Sequence, residues 1–179
     1  MSTQAIDNAS VDRNRDNVLA LGVRLAGKYM TFKLAEEEYG LEILKVREII
    51  GLMDITRVPG TADYIRGVIN LRGKVIPVVD LRRKFEMPKT EATDQTVIIV
   101  VQYATSKGEY TMGILVDEVL EVLNIAAEQI EPPPSFGTAI NADFILGIGK
   151  SEKRVIFLLD IGRVLTDDAT AGFGTIVDA

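Results

Sequence analysis

The chain has 179 residues, 47% of them apolar, a formal net charge of −6 and a pI near 4.8. That apolar share supports one packed domain of ordinary size, or two very small units around a common core, and the acidic balance argues against nucleic acid as the main partner, because phosphate binding runs on Lys and Arg displacing counterions. Cys, His and Trp are all absent, which removes disulfides, thiolate nucleophiles, the commonest general base and the commonest zinc ligand.

In chain order, residues 1–14 are polar and aperiodic and read as a flexible tail. Residues 15–26 predict a short helix that Gly22 weakens, so residues 1–27 read as a flexible N-terminal extension. Its one apolar stretch, VLALGVRLAG from Val18, contains Arg24 and does not have a signal-peptide pattern. No apolar run approaches the ~18 residues needed to cross a bilayer, and a cytoplasmic location is the expectation. From Tyr29 the period changes to two: Met30, Phe32 and Leu34 share one face, Thr31 and Lys33 the other, which predicts a half-buried strand. AEEE is a polar turn, and YGLEILKVREII returns as strand with a break near Glu42. Two strands flank NLRG. TVIIVVQY, EYTMGILVD and EVLEVLNI add three more, and FILGIGK and RVIFLLD close the series. Short apolar runs between Gly, Pro and charged turns predict a mostly β fold of small barrels or a sandwich, with helices only as short connectors.

An internal repeat organises these strands. DYIRGVINLRGKVIPVVDLRRKF aligns without a gap on DFILGIGKSEKRVIFLLDIGRVL, 80 residues later. Asp63, Ile65, Gly67, Val75, Ile76, Asp80 and Arg83 match Asp143, Ile145, Gly147, Val155, Ile156, Asp160 and Arg163. A weaker match joins EYGLEIL to EYTMGIL and KVREII to EVLEVL. The simplest division is two β-rich subdomains over about 29–90 and 94–165, with a crossover between them left open, and a flexible C-terminal tail over 166–179.

What both copies keep belongs to the fold. Gly67 and Gly147 predict a strand bend or a close backbone approach. Asp80 and Asp160 each follow a strand and precede a short apolar-spaced segment, which is the place of a helix N-cap; a carboxylate pair is the competing reading. What differs between the copies is freer to serve function. Asn70, Leu71, Arg72 and Gly73 face Lys150, Ser151, Glu152 and Lys153, so the fold does not require an arginine at that tip. Either Arg72 is a solvated turn charge, or Leu71 and the five-donor fork of Arg72 form a contact surface. Pro77 faces Phe157 and predicts an open edge or bulge where a partner docks.

No Walker loop, no G-x-G-x-x-G opening a helix and no G-x-S-x-G elbow occurs. The acidic AEEE and the pair Asp167–Asp168 lack the spacing of a calcium loop, and EPPP over 131–134 reads as a stiff connector. The sequence therefore points to no catalytic, cofactor or metal site. A hydrolase using scattered carboxylates is the weakest reading.

EEYGLEILKVREII, TRVPGTADYIRGVINLRGKVIPVVDLRRKF and AEQIEPPP resemble the CheW family of bacterial chemotaxis coupling proteins, from about Tyr29 to Leu165. Relatives of the family include the regulatory domain of the histidine kinase CheA and the coupling half of CheV. The chain has room for neither a kinase domain nor a receiver domain, so a stand-alone CheW-like protein is the better match. The resemblance implies two SH3-like five-stranded β-barrels with a groove between them. It further implies a non-catalytic adaptor, without cofactor, that holds the CheA regulatory domain beside the cytoplasmic tips of chemoreceptors in membrane-associated arrays. By motif, Val46 and Glu48 in KVREI, Gly67 in RGVINL, Arg72 in NLRG with its neighbours Asn70 and Leu71, and Gly113 in MGILVD match positions implicated in receptor or kinase coupling. Core packing remains the competing role for Val46, and Gly67 acts equally well through barrel shape. Gly113 aligns with Glu42 in the first copy, so the repeat leaves it unexplained. A generic SH3-like binding module in another pathway is the alternative function.

Overall fold

The computed structural model describes residues 2–133 and 142–170. Helix α1 (Ser2–Leu25) leads into the hairpin of β1 (Gly27–Leu34) and β2 (Glu37–Glu42). A 3-10 turn over Ile43–Lys45 breaks the run where the sequence predicts a break, and β3 (Val46–Gly51) follows. Strands β4 (Ile65–Leu71) and β5 (Lys74–Asp80) flank Arg72, and the short helix α2 (Leu81–Lys84) ends the first repeat copy. The second copy carries β6 (Val97–Thr105), β7 (Gly108–Val116), β8 (Glu118–Ile125), β9 (Ile130–Glu131), β10 (Ile145–Ser151), β11 (Arg154–Leu159) and α3 (Ile161–Thr170).

The strands form a six-stranded sheet, β8-β1-β2-β11-β10-β9, and a five-stranded sheet, β3-β6-β7-β5-β4. Neither sheet comes from one half of the chain. The hairpin β1–β2 sits among strands of the second copy, and β6–β7 sits among strands of the first. This is the crossover left open between 29–90 and 94–165: the two copies are contiguous in sequence and exchange hairpins in space. Parallel pairing is the reason. Val78–Asp80 of β5 runs beside Gly113–Leu115, and Ile156–Leu158 of β11 beside Glu38–Gly40. Parallel neighbours cannot be joined by a tight turn, so the strand beside β5 arrives from elsewhere in the chain.

Within this exchange the copies superpose in detail. A register shift falls between Ile65 and Gly67 in one hairpin and between Ile145 and Gly147 in the other. The Asp80 N–H donates to the Tyr64 carbonyl at 2.7 Å, and the Asp160 N–H to the Phe144 carbonyl at 2.8 Å. Asp80 Oδ1 accepts from the Arg82 N–H at 3.1 Å, and Asp160 Oδ1 from the Arg163 N–H at 3.2 Å. Both aspartates are therefore helix caps.

Three apolar clusters follow from the alternation of side chains. Ile69, Ile76, Val78, Ile98, Val100 and Leu115 fill the inside of the five-stranded sheet. Tyr29, Ile125, Ile130, Ile156 and Leu158 do the same for the six-stranded sheet, closed by Leu25 of α1. The opposite faces of β1, β2, β6 and β7 meet each other in a shared core that includes Phe32, Tyr39, Ile99, Val101 and Met112. Central strands are thus buried on both faces, which is why β6 reads as an almost continuous apolar run.

At the middle of the shared core Tyr39 packs on Phe32, Phe157 and Phe85, with ring centroids 5.6–5.8 Å apart. Its hydroxyl has no hydrogen-bond partner among the described residues. Burial, then the charge of Glu37, pushes its ionisation well above the usual tyrosine value. A buried polar atom left unsatisfied costs about 1–3 kcal/mol, and removing it while keeping the ring recovers part of that. Tyr39→Phe is therefore expected to leave stability unchanged or raise it by about 1 kcal/mol in urea denaturation. A clear loss would show that the hydroxyl has a partner in solution.

Three expectations need revision. The tail expected over residues 1–14 is helical backbone from Ser2, continuous with the predicted helix. The segment contains no Pro and no apolar stripe, so periodicity carried no sign of it. Its C-terminal end is anchored through Leu25, whose carbonyl accepts from the Tyr29 hydroxyl at 2.5 Å. At the other end α3 runs to Thr170, past the expected start of the tail at 166; residues 171–179, like Pro134 of the EPPP connector, lie outside the described residues. Pro77 does not mark an open edge. Strand β5 lies between β4 and β7, and the ladder to β7 begins at Val78, one residue past the proline.

Candidate functional site

Arg72 and Gly73 are the two central residues of the β4–β5 turn, with φ of 52° and 87°. Two left-handed residues in succession make the turn whose twist matches that of the flanking strands. Asn70 Oδ1 accepts from the Gly73 N–H at 2.9 Å and holds the turn in place. In the second copy Glu152 takes the same left-handed conformation, φ 56°. The backbone shape thus belongs to the fold, and the side chain upon it does not.

The Arg72 side chain is 71% exposed and pairs with Glu48 of β3, itself 30% exposed. The guanidinium lies at the surface, not in the interior, and an exposed pair of this kind contributes only ~0–1 kcal/mol. Between them lies a depression of about 290 Å³, rimmed by Glu48, Leu71, Arg72 and Lys74 and floored by Ile76 and Val100. Ile76 and Val100 are buried members of the barrel core, so the depression is the mouth of the five-stranded barrel.

Val46 lies two residues before Glu48 on β3, across a register shift, and is half-buried against the shared core. Val119, its counterpart in β8, packs on the same core, so the repeat accounts for Val46 by packing. Glu48 has its counterpart in Glu121, which accepts from Arg154 at 2.6 Å. Arg154 also donates to Glu38 at 2.9 Å, and the bonds to Glu38 and then Glu121 raise its pKa. Arg154, which matches Lys74 and not Arg72, is thus held by two acids, whereas Arg72 pairs with Glu48.

The two glycines lie behind this surface. Gly67 has φ 141°, and a Cβ there would come within 2.1 Å of the Thr56 carbonyl oxygen. A Cβ at Gly113 would meet Ile98 Cγ2 at 2.8 Å and Val78 Cγ2 at 3.3 Å inside the barrel. Its counterpart is Gly40, not Glu42: Gly113 pairs with Val78, Gly40 pairs with Leu158, and Val78 and Leu158 match in the repeat. The repeat therefore explains Gly113, as a wall too crowded for a side chain.

Of the sequence-predicted residues, the structure brings Glu48, Leu71 and Arg72 to one barrel mouth, with Asn70 shaping the turn, Val46 in the adjoining core, and Gly67 and Gly113 in the barrel wall. One residue was missed. Leu44 is 92% exposed on the 3-10 turn just before Val46, in a stretch that reads as strand. Extending the KVREII–EVLEVL match by one residue sets Leu44 against Asp117, a leucine where the other copy has a charge, and this was the available signal. Among the described residues no acidic cluster could hold a metal ion, and no helix is long and apolar enough to cross a membrane.

Residues 28–169 match the family model described as a CheW-like domain. The chain belongs to the CheW family. It is 39% identical over 158 residues to the chemotaxis protein CheW of Klebsiella aerogenes, covering 86% of this chain and 93% of the relative. The Bacillus subtilis chemotaxis protein CheW is 35% identical over 149 residues, covering 83% and 92%. The crystal structure of the scaffolding protein TtCheW from Thermoanaerobacter tengcongensis matches with a TM-score of 0.69 at 38% identity, over 79% of this chain and 88% of that one. The two sheets are thus the two SH3-like subdomains of the CheW fold, and the chain is a chemotaxis coupling scaffold and not an enzyme.

Proposed function

We propose that this member of the CheW family joins the cytoplasmic tips of chemoreceptors to the regulatory domain of the histidine kinase CheA, and that Arg72 and Glu48 contact one of these partners. The protein works in the cytoplasm, recruited to membrane-associated receptor arrays. The observation that carries the site assignment is the exposed Arg72 side chain on a turn whose backbone the second copy reproduces without an arginine. A carboxylate on a partner helix replaces Glu48 at little cost, because the internal pair is weak. Leu71 supplies apolar contact beside it and the nearly bare Leu44 does so on the turn before β3, Asn70 fixes the β4–β5 turn, and Val46, Gly67 and Gly113 act through the shape of the barrel.

The test is co-sedimentation with receptor and CheA followed by a kinase assay. Arg72→Glu is expected to lower receptor-dependent kinase activation about tenfold or more, within the ~1–4 kcal/mol range of an interface arginine. Arg72→Gln, which avoids setting two acids together, is expected to lower it less and to change stability by less than about 1 kcal/mol. Full activation by a folded Arg72→Glu protein removes Arg72 from the coupling site. Failure of the parent protein to bind CheA in calorimetry, where about −8 kcal/mol is expected for a micromolar complex, counts against the function itself.

A further inference from the structure

A second cavity of about 290 Å³ opens at the other end of the β4–β5 hairpin, where α2 begins. The hairpin strands are seven residues long, which sets this cavity roughly 20 Å from the Arg72 turn. Arg66, Arg82, Arg83 and Lys89 line it, with Leu52 and Leu115 as apolar wall. In a chain of net charge −6 this gathering of cations needs a reason.

The repeat separates what the fold demands here from what it does not. The second copy keeps the cap aspartate and the arginine after it, and there the two pair with each other: Arg163 Nε lies 3.6 Å from Asp160 Oδ2. In the first copy Arg66 takes the aspartate instead, with Nη1 3.5 Å from Asp80 Oδ2. The residue matching Arg66 in the second copy is Leu146, and the one matching Arg82 is Gly162. Arg82 is committed to Asp117, which accepts from its Nε at 2.8 Å and its Nη2 at 2.6 Å. Two acids in the cavity wall are thus engaged, and Arg83 and Lys89 make no ion pair with any described residue. Glu91 is the remaining acid in the lining, so the cations are in excess.

We infer that this cavity receives a glutamate or aspartate side chain from an acidic segment of a partner protein, with Arg83 and Lys89 taking the carboxylate and Leu52 and Leu115 an adjoining apolar residue. Arg66 is the residue that makes the site, because by occupying Asp80 it releases Arg83. A planar guanidinium donates two parallel bonds to a carboxylate, and the half-buried setting of Arg83 strengthens them. The volume falls just below the range of drug-sized ligand pockets and suits one or two side chains. The inference does not rest on the coupling function, and its test uses neither receptor nor kinase.

The experiment follows amide shifts of the full chain, labelled with nitrogen-15, during titration with a blocked hexapeptide of alternating leucine and glutamate. Controls are the same peptide with lysine for glutamate, and inorganic phosphate. The glutamate peptide is expected to move amides near Arg66, over residues 80–83 and around Lys89, and the lysine peptide is not. Arg66→Leu installs the residue of the second copy, returns Asp80 to Arg83, and is expected to weaken binding about tenfold. Arg83→Gln removes the receiving group directly, keeps the cap backbone, and is expected to do the same. Shifts from both peptides alike, shifts confined to the Arg72 turn, unchanged affinity in both variants, or no response at millimolar peptide each overturn the inference. Phosphate reproducing the same shifts at equal concentration also overturns it, in favour of a small-anion site.

Discussion

Gly67→Ala is expected to cost about 3–5 kcal/mol, enough to bring a domain of ordinary stability close to unfolding. A φ of 141° is closed to residues with a Cβ, and the added carbon would stand 2.1 Å from Thr56 O, 2.7 Å from Thr56 C and 3.0 Å from Arg57 Cα. All three are backbone atoms, so no rotamer change relieves the overlap. Nor is the backbone free to withdraw, since Thr56 and Val68 exchange N–H to carbonyl bonds at 2.9 and 2.8 Å and close the barrel there. Gly147 is the built-in control. A Cβ there would meet the Glu131 carbonyl oxygen and Leu25 Cδ1, both at 3.1 Å, with φ outside the left-handed range, and Gly147→Ala is expected to cost only about 1 kcal/mol. Urea denaturation of the two variants checks the contrast. Equal losses would sink the close-approach account, and the large loss predicted for Gly67 means that impaired coupling at this position reports a distorted barrel and not a lost contact.

How much of this was legible in the sequence depends on which physical signal each feature leaves. Strand positions were legible because period-two alternation and Gly-marked turns survive in one dimension: the break at Ile43–Lys45 and the hairpin around Arg72 both fall where the pattern puts them. The exchange of hairpins was not, because an internal repeat states that two segments are alike and is silent on which of them pair. The same gap misplaced the partner of Gly113, where aligning Tyr39 with Tyr110 slipped the register by two residues and only the parallel ladders correct it. Helix α1 was half seen, since its sequence has no apolar stripe at helical spacing in the N-terminal part and leaves no periodic trace. At the site, comparing the copies singled out Arg72. Its partner Glu48 lies 24 residues away on another strand, and no local pattern announces such a pair. Comparing copies also sets Leu44 against Asp117, one residue beyond the KVREII–EVLEVL match, and Arg66 against Leu146 inside the longer repeat, so both signals were present in the sequence.

Asp117→Asn tests what holds the exchanged hairpins in place. Asp117 lies where the chain leaves β7 in one sheet for β8 in the other. Its carboxylate accepts from Arg82 and, at 2.8 Å, from the Ala35 N–H in the β1–β2 turn, while its own N–H donates to the Lys33 carbonyl at 3.1 Å. Arg82 continues the strap to the Pro88 carbonyl at 3.0 Å. Burial pushes the Asp117 carboxyl up, but the bonds from Arg82 and Ala35 outweigh it and hold the pKa below the usual aspartate value, while the Asp117 bond raises that of Arg82. With the folded pKa depressed, the unfolded chain takes up the proton first. The stabilisation is therefore complete above the unfolded value, about 3.9, and is lost as pH falls through the lower folded value. Near neutral pH the asparagine variant is expected to be about 2 kcal/mol less stable, the scale of hydrogen bonds to a charged group in a part-buried setting. As pH falls through that lower folded value the parent carboxyl approaches the neutral state of the amide, and the difference should shrink toward zero. Urea titrations of both proteins between acid and neutral pH decide it. A gap that stays constant into acid would mean that packing, not charge, fastens this crossover.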